Sequence, residues 1–207
     1  MLSNPSRAAL GFRVHSGWAA MVVVARPNDG PLTIERRRLE LIDHKIRGFQ
    51  QPYHTAKDMK LPDAKAFLDQ CAGAAKAVAT ASLRKAVSDL AGNGYKIAGS
   101  CILLGAGRPA DDLAATLRSH VMIHTAEGHF FRNALQKACE SCGLPVIGVK
   151  EKELMSRASA AIQISPAELH QRISKLGKTI GPPWRQDEKL CTIAGWLVLA
   201  SSAAQLS

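Results

Sequence analysis

The chain has 207 residues, 46% of them hydrophobic, and its 27 Lys and Arg against 17 Asp and Glu give a formal net charge of +10. This content of apolar residues supports a packed core and excludes an intrinsically disordered chain, while the length fits one domain or one domain with a small addition. The positive charge indicates a polyanionic partner such as RNA, DNA or a membrane surface, with plain solubility as the alternative explanation.

The cysteines and the C-terminal residues indicate in which cellular compartment the protein is expected. The five cysteines are odd in number and mostly lie in apolar stretches, which indicates reduced thiols in a cytoplasmic protein rather than a disulfide framework. The longest uncharged stretch, residues 190–207, loses its apolar character toward the end. A membrane-spanning helix needs about 20 mostly apolar residues, so we expect a packed C-terminal helix and no membrane partner.

The first forty residues have the pattern of an antiparallel meander. Residues 8–14 and 18–25 are apolar and rich in β-branched side chains, with small turn formers between them. A second turn is predicted at residues 27–31. Residues 32–42 alternate apolar and polar side chains, and the alternation slips inside an arginine run, which predicts a bulge or an edge strand there.

The middle of the chain alternates predicted helices and strands after a segment without sustained period at residues 43–62. The predicted elements are a helix capped by Asp63 and ending at residue 92, a strand over 95–104, a helix beginning near Asp111 and Asp112, a strand over 121–124, a helix over 127–142 and a strand over 144–149. Strands that alternate with helices imply parallel crossover connections.

After Lys150 every predicted element is helical. Ser165 and Glu168 form the capping box of one predicted helix, which Gly177 is expected to end. Asp187 is expected to begin the last helix. We therefore expect an α/β core over residues 1–149 and a helical extension over 150–207 that packs on it. The extension is also the candidate for pairing two copies of the chain, as a homodimer or a larger interaction scaffold.

This order of elements resembles the ribonuclease H-like mixed sheet, a three-stranded antiparallel meander followed by parallel strand–helix units. It is also similar to the central domain of archaeal and eukaryotic class I peptide release factors and their ribosome-rescue relatives. The resemblance spans roughly residues 8–149 and is carried by residues 10–12 in the first strand, the loop after Asp43, the segment 102–109 and the segment 125–128.

In release factors, the loop after the meander carries a Gly-Gly-Gln tripeptide that enters the ribosomal peptidyl-transferase centre. The resemblance implies a flexible basic loop that contacts RNA phosphates, with Arg47, Gln50, Lys57 and Lys60 as binding candidates and Gln50 as a catalytic one. Phe49 stands where the family has its second glycine, and a residue with a Cβ lacks that glycine's backbone freedom. This difference counts against peptidyl-tRNA hydrolysis, and an ordinary surface loop is the alternative.

The ribonuclease H resemblance also suggests a test for nuclease activity. Nucleases of that type hold two divalent metals with several carboxylates, and their pattern places an acidic residue inside the first strand. Here residues 11–15 contain Arg13 and His15 but no carboxylate. Because an arginine repels Mg²⁺, the sequence predicts that the chain is not a two-metal nuclease.

The densest polar group in the sequence consists of His120, His124, Glu127 and His129. Its spacing matches neither of the helical zinc motifs that combine two histidines with a glutamate. If Glu127 opens a helix, a simple cap is one interpretation. A catalytic or binding site at the carboxyl edge of the sheet, with His124 and Glu127 as catalytic candidates and His129 as a binding candidate, is the second. Metal binding is the third, and no metal or cofactor is predicted.

A glycine-containing turn follows the predicted strand 95–104. Gly105 and Gly107 could present backbone amides to a phosphate, and Arg108 beside them suits the same ligand. The turn lacks the third glycine of a dinucleotide motif and the Lys-Ser/Thr of a P-loop, so an ordinary turn is the alternative.

These observations lead to one hypothesis and two alternatives. The first is a domain that binds RNA or a ribosomal surface without catalysis of its own. The second is a hydrolase-type enzyme with a site at the carboxyl edge of the sheet, built from Gly105, Arg108, His124 and Glu127. The third is a homo-oligomeric scaffold.

Overall fold

The computed structural model describes residues 5–25 and 30–204, with side chains up to residue 201. The turn predicted at residues 27–31 therefore lies mostly outside the described residues. Within them, one mixed sheet has the strand order β3-β2-β1-β4-β5. Its strands are β1 (Ser6–His15), β2 (Trp18–Ala25), β3 (Leu32–Glu40), β4 (Tyr95–Leu104) and β5 (Val146–Lys150).

The first three strands form the expected antiparallel meander, and β4 and β5 add in parallel to β1. The helices of the described chain are α1 (Pro52–Ala56), α2 (Leu61–Gly92), α3 (Leu113–Arg118), α4 (His120–Ser141), α5 (Leu154–Ile162), α6 (Pro166–Ile180) and α7 (Gln186–Ala204). The predicted meander, the strand over 95–104 and the later parallel strand are confirmed. All five cysteines are described, and each is a free thiol.

The sheet is covered on both faces, so its strands alternate between two cores. Leu10 and Phe12 of β1 point to the core that contains α2 and α4. Ala9 and Val22 point to the other core, where α7 packs with the buried indole of Trp196. Gly11 permits the close approach of α7, because a Cβ there would lie 1.8 Å from the backbone oxygen of Cys191.

Three local predictions are wrong. Residues 121–124 are helical, because Ser119 accepts a hydrogen bond from the Met122 amide and starts α4 at His120, seven residues before the predicted start. Gly177 lies inside α6, where it makes room for the indole of Trp184 rather than ending the helix. Asp63 lies in the first turn of α2 but does not cap it, since the helix begins at Leu61.

The arginine run of β3 is structural. The pairing of β3 with β2 shifts in register between Val23 and Val24, whose partners are Glu35 and Thr33, so the irregularity lies just before the arginine run. β3 is an edge strand. Arg36 donates to the backbone oxygen of Gly181 (3.0 Å), and Arg37 bonds Asp89 of α2 (3.1 Å). Arg36 and Arg37 therefore bond the end of α6 and helix α2 to the edge of the sheet, and both guanidinium groups have partners within the protein.

Candidate functional site

The polar residues of interest gather at one edge of the sheet. The parallel strands β1, β4 and β5 all end there, and β3 ends there too because it lies two antiparallel steps from β1. Three segments meet at this edge. They are the loop and helix over residues 41–60, the turn at residues 105–112, and the start of α4. We call the first of these segments the basic loop. In open α/β sheets this edge is where ligands bind.

Three histidines meet at this edge. His120 and His124 lie one turn apart on α4, and His54 comes from α1 in the basic loop. One ring nitrogen from each histidine lies within 4.8 Å of those of the other two, and the Nε2 atoms of His120 and His124 are 3.0 Å apart. We call these residues together with Glu127 the histidine cluster.

Glu127 joins α4 to the basic loop. It is only 3% exposed, and its Oε1 accepts a hydrogen bond from the Tyr53 amide at 3.0 Å. Its Oε2 bonds Nδ1 of His54. Because an ionised carboxylate can only accept, Nδ1 of His54 carries the proton, and Nε2 is left as the nitrogen with a free lone pair. The interpretation of Glu127 as a helix cap is wrong, since the residue lies two turns into α4.

The basic loop is anchored rather than presented as a free tip. Phe49 is 1% exposed, and its ring stacks on Phe131 of α4 with centroids 6.4 Å apart. Gly48 has a positive φ of 80°, and a Cβ there would lie 2.6 Å from the Thr55 side chain. Gln50 is exposed at a cleft of about 560 Å³ that His44 and Arg47 also line, so the structure does not bring Gln50 into the histidine cluster.

The turn after β4 lies beside an arginine that the sequence did not single out. Gly105, Gly107 and Arg108 are exposed. The guanidinium of Arg132 on α4 lies over Gly105, because a Cβ on that glycine would be 3.4 Å from its Nη2. Within the described residues Arg132 forms no hydrogen bond or ion pair, and burial lowers its pKa. Arg132 is therefore a half-buried cation without a counter-charge at this edge.

His129 does not belong to the histidine cluster. It lies on another side of α4, is exposed overall, and makes no ring contact with the three clustered histidines. Partial burial and the nearby charge of Arg132 lower the pKa of His129. The sequence-predicted group of three histidines and Glu127 is thus divided, with His54 in place of His129.

A second polar group lies at the same edge, on the side of α7. The Nη1 of Arg13 bonds Asp187 at 2.6 Å, its Nε bonds Glu151 at 3.1 Å, and His15 contacts Asp187 at 3.1 Å. We call these four residues the arginine cluster. Burial lowers the pKa of Arg13, but the hydrogen bonds and charges of the two carboxylates outweigh that effect and raise it. Both carboxylates of this cluster are thus engaged by a guanidinium.

A cleft of about 520 Å³ opens beside the arginine cluster. The residues that line it come from the end of β4, the end of β5 and the start of α7, and include Gly105, Lys150, Glu151 and Gln186. Gly105 therefore lies between this cleft and Arg132.

No protein-family model and no curated protein sequence matches the chain. Among solved structures, RuvC from Thermus thermophilus is similar, with a TM-score of 0.54 and 8% identity over 96% of both chains. The same protein in complex with a Holliday junction substrate gives a TM-score of 0.53 at 8% identity, again over 96% of both chains.

The chain has a ribonuclease H-like α/β fold. At 8% identity the similarity shows the fold alone. It gives no support to the resemblance to release factors, whose loop motif is also interrupted here by the buried Phe49. Within the described part of the chain, no helix has the length and apolar character needed to cross a membrane.

Two residues of the candidate site were not identified from the sequence. His54 lies in a segment without periodicity and 66 residues before His120, so no motif spacing connects them. Arg132 is one of many basic residues and differs from the rest only in its burial and lack of a partner. The one local signal for His54 was its place after Pro52, which starts the short helix α1.

Proposed function

We propose that this protein binds a nucleic acid across the carboxyl edge of its sheet, with the phosphate backbone lying on the basic loop. One observation carries the proposal. The loop that brings His54 to the histidine cluster also carries four exposed cations that form no ion pair within the described residues, namely Lys45, Arg47, Lys57 and Lys60. Unpaired cations release counterions from phosphates most effectively, because they lose no partner on binding.

The distribution of charge supports this placement. Several arginines elsewhere are engaged within the protein, as Arg13 is by two carboxylates and Arg36 by the chain segment near Gly181. Arg132 adds a partly desolvated cation at the same edge, where an arginine attracts phosphate more strongly than it would in water. The expected phosphate contact at the Gly105 turn is thereby reassigned from Arg108 alone to Arg108 with Arg132.

The fold supports the same class of ligand. A ribonuclease H-like protein of similar architecture, T. thermophilus RuvC, has been solved with a Holliday junction substrate. The arginine cluster argues that binding here does not use two metals held by carboxylates, since Glu151 and Asp187 are both already paired with Arg13. RNA and structured DNA are both chemically suitable, because a phosphate backbone is common to both.

The test is a salt-dependent binding measurement with a fluorescent RNA hairpin and a four-way DNA junction. Replacing the four loop cations by glutamine should flatten the slope of log K against log salt by up to about 4, since each phosphate contact contributes about 1. A matched control replaces four exposed, unpaired cations elsewhere on the protein by glutamine, namely Arg7, Lys76, Lys96 and Lys137. Equal losses in both variants, or binding that does not respond to salt, would contradict the proposal.

A hydrolase-type activity at this edge is the second candidate, and the pairing of His54 with Glu127 favours it. A buried carboxylate that fixes an imidazole is the arrangement that turns histidine into a general base. If this candidate is right, phosphodiester cleavage is lost in His54→Gln and kept in His129→Gln. Cleavage that survives His54→Gln would exclude a catalytic role for the pair.

A further inference from the structure

We propose that His54, His120 and His124 bind one Zn²⁺ ion, and that Glu127 is the positioning residue that fixes the His54 ring. The proposal concerns metal binding and does not depend on the proposed binding of a nucleic acid. Three features of the histidine cluster carry it: the separation of the nitrogens, the arrangement of the ligands on the two helices, and the burial of Glu127.

The separation of the nitrogens is close to what zinc needs. With Zn–N bonds of 2.0–2.1 Å, a tetrahedral site holds its ligand nitrogens about 3.4 Å apart. The Nε2 atoms of His120 and His124 are 3.0 Å apart, and all three ligand nitrogens lie within 4.8 Å of one another. Side-chain rotations that move the ring nitrogens by about 1 Å would therefore bring them to the spacing that zinc requires. His120 and His124 are exposed, so their rotation meets little resistance.

The arrangement of the ligands is one that helices supply well. Histidines at positions i and i+4 of a helix project from the same face, which lets His120 and His124 reach a common ion. His54 then approaches from the side, with ring centroids 4.8 Å from His124 and 5.7 Å from His120. His120 and His124 share a hydrogen bond between their Nε2 atoms, and a bound cation would replace it by accepting a lone pair from each nitrogen.

Glu127 supplies what histidine ligands of zinc usually have, a carboxylate on the second ring nitrogen. Its bond to Nδ1 of His54 sets the tautomer and directs Nε2 away from the carboxylate. Both Glu127 oxygens are engaged, the second by the Tyr53 amide. Glu127 is thus occupied as a support and is not itself a ligand.

The ligand set selects the metal. Imidazole nitrogens suit Zn²⁺ and other late transition metals, whereas Mg²⁺ and Ca²⁺ require oxygen ligands. Three protein ligands leave a fourth position of the tetrahedron for water or an anionic oxygen. The exposed sides of His120 and His124 place that position toward solvent, at the edge where the basic loop lies.

Zinc binding can be measured on the full chain, without an affinity tag and after dialysis against a chelator, by calorimetry and by competition with a chromophoric chelator. We expect one zinc per chain and no response to Mg²⁺. His124→Ala should abolish this binding, and His129→Ala on the same helix is the matched control that should leave it unchanged. Glu127→Gln should weaken zinc about 10–100-fold, as loss of a supporting carboxylate does in other zinc sites.

Cobalt provides an independent readout, because tetrahedral Co²⁺ with nitrogen ligands gives intense visible absorption that octahedral Co²⁺ lacks. The wild-type chain and His129→Ala should show this spectrum, and His124→Ala should not. The proposal is overturned if zinc binds at less than one ion per chain, or if His129→Ala lowers the affinity as much as His124→Ala. Unchanged affinity in Glu127→Gln would remove the positioning role of Glu127. Circular dichroism confirms that each variant is folded.

Discussion

The arginine cluster and the histidine cluster lie at the same edge of one sheet, and they differ in how their charges are matched. In the arginine cluster, Arg13 meets Asp187 at 2.6 Å and Glu151 at 3.1 Å, so every strong charge has an opposite neighbour. In the histidine cluster, the three imidazoles face one another, and the one carboxylate present is turned to the outer nitrogen of His54.

This difference indicates separate roles. A group whose charges neutralise one another contributes to the folded state and has little left for a ligand. A group of imidazoles whose ring nitrogens converge at one place is suited to a cation. We therefore infer that the arginine cluster holds α7 and the end of β5 on β1, whereas the histidine cluster remains the candidate site.

The largest expected effect comes from removing the arginine. Arg13→Ala removes the guanidinium that Glu151 and Asp187 share. The loss should lower the free energy of unfolding by about 2 kcal/mol, between the values for exposed and for buried pairs, because the side chains are partly exposed. Arg172→Ala removes an exposed pair with Glu168 and should cost no more than about 0.5 kcal/mol. Urea unfolding measures both, and equal values would mean that the arginine cluster has no special structural role.

A smaller effect separates the histidine cluster from the arginine cluster. Zinc at ten times its dissociation constant should raise the free energy of unfolding of the wild-type chain by about 1.4 kcal/mol, because it binds the folded state. His124→Ala should be folded and show no such increase, while Arg13→Ala should keep the increase on its lower baseline. Thermal unfolding with and without zinc is the measurement. A zinc effect lost in Arg13→Ala would show that the two clusters are not independent.

The smallest effect concerns the unpaired Arg132. Burial and the charge of Arg132 lower the pKa of His129, so the unfolded chain takes up the proton first. The contribution of His129 to stability is present above pH of about 6.5 and decreases as the pH falls through that value. Arg132→Met should raise the pKa of His129, though not fully, since burial remains, and Lys137→Met should not change it. Proton NMR titration of the ring measures this, and an unchanged pKa in Arg132→Met would show that a counter-charge neutralises the guanidinium.

Much of the fold could be predicted from local patterns. The strand over 95–104 is a continuous apolar run because both its faces are covered, and the structure gives the same bounds. The short apolar run at residues 121–124 was misassigned because β-branched residues fit a strand as well as a helix. The hydroxyl of Ser119 caps α4, so the helix begins at His120 and includes residues 121–124. The sequence pattern alone did not distinguish this cap from a turn before a strand.

Three of the four residues of the histidine cluster, namely His120, His124 and Glu127, could be grouped from the sequence. His124 and Glu127 were found because they are close in sequence, and His129 was grouped with them for the same reason. A helix turns 100° per residue, so neighbours in sequence face different sides, and His129 lies away from the other two. His54 could not be found, because nothing local links it to α4.

The sequence by itself determined the antiparallel meander, the parallel strands that follow it in a ribonuclease H-like sheet, and the lack of a carboxylate in residues 11–15, since each depends on periodicity or on one residue type at one place. The tertiary structure alone decided which polar residues meet. Phe49 and Glu127 hold the basic loop against α4 and so bring His54 to His120 and His124, while Arg13 reaches the carboxylate that follows β5 and one in α7. Such contacts join residues far apart in the chain, and only the packing of helices on a common sheet fixes them.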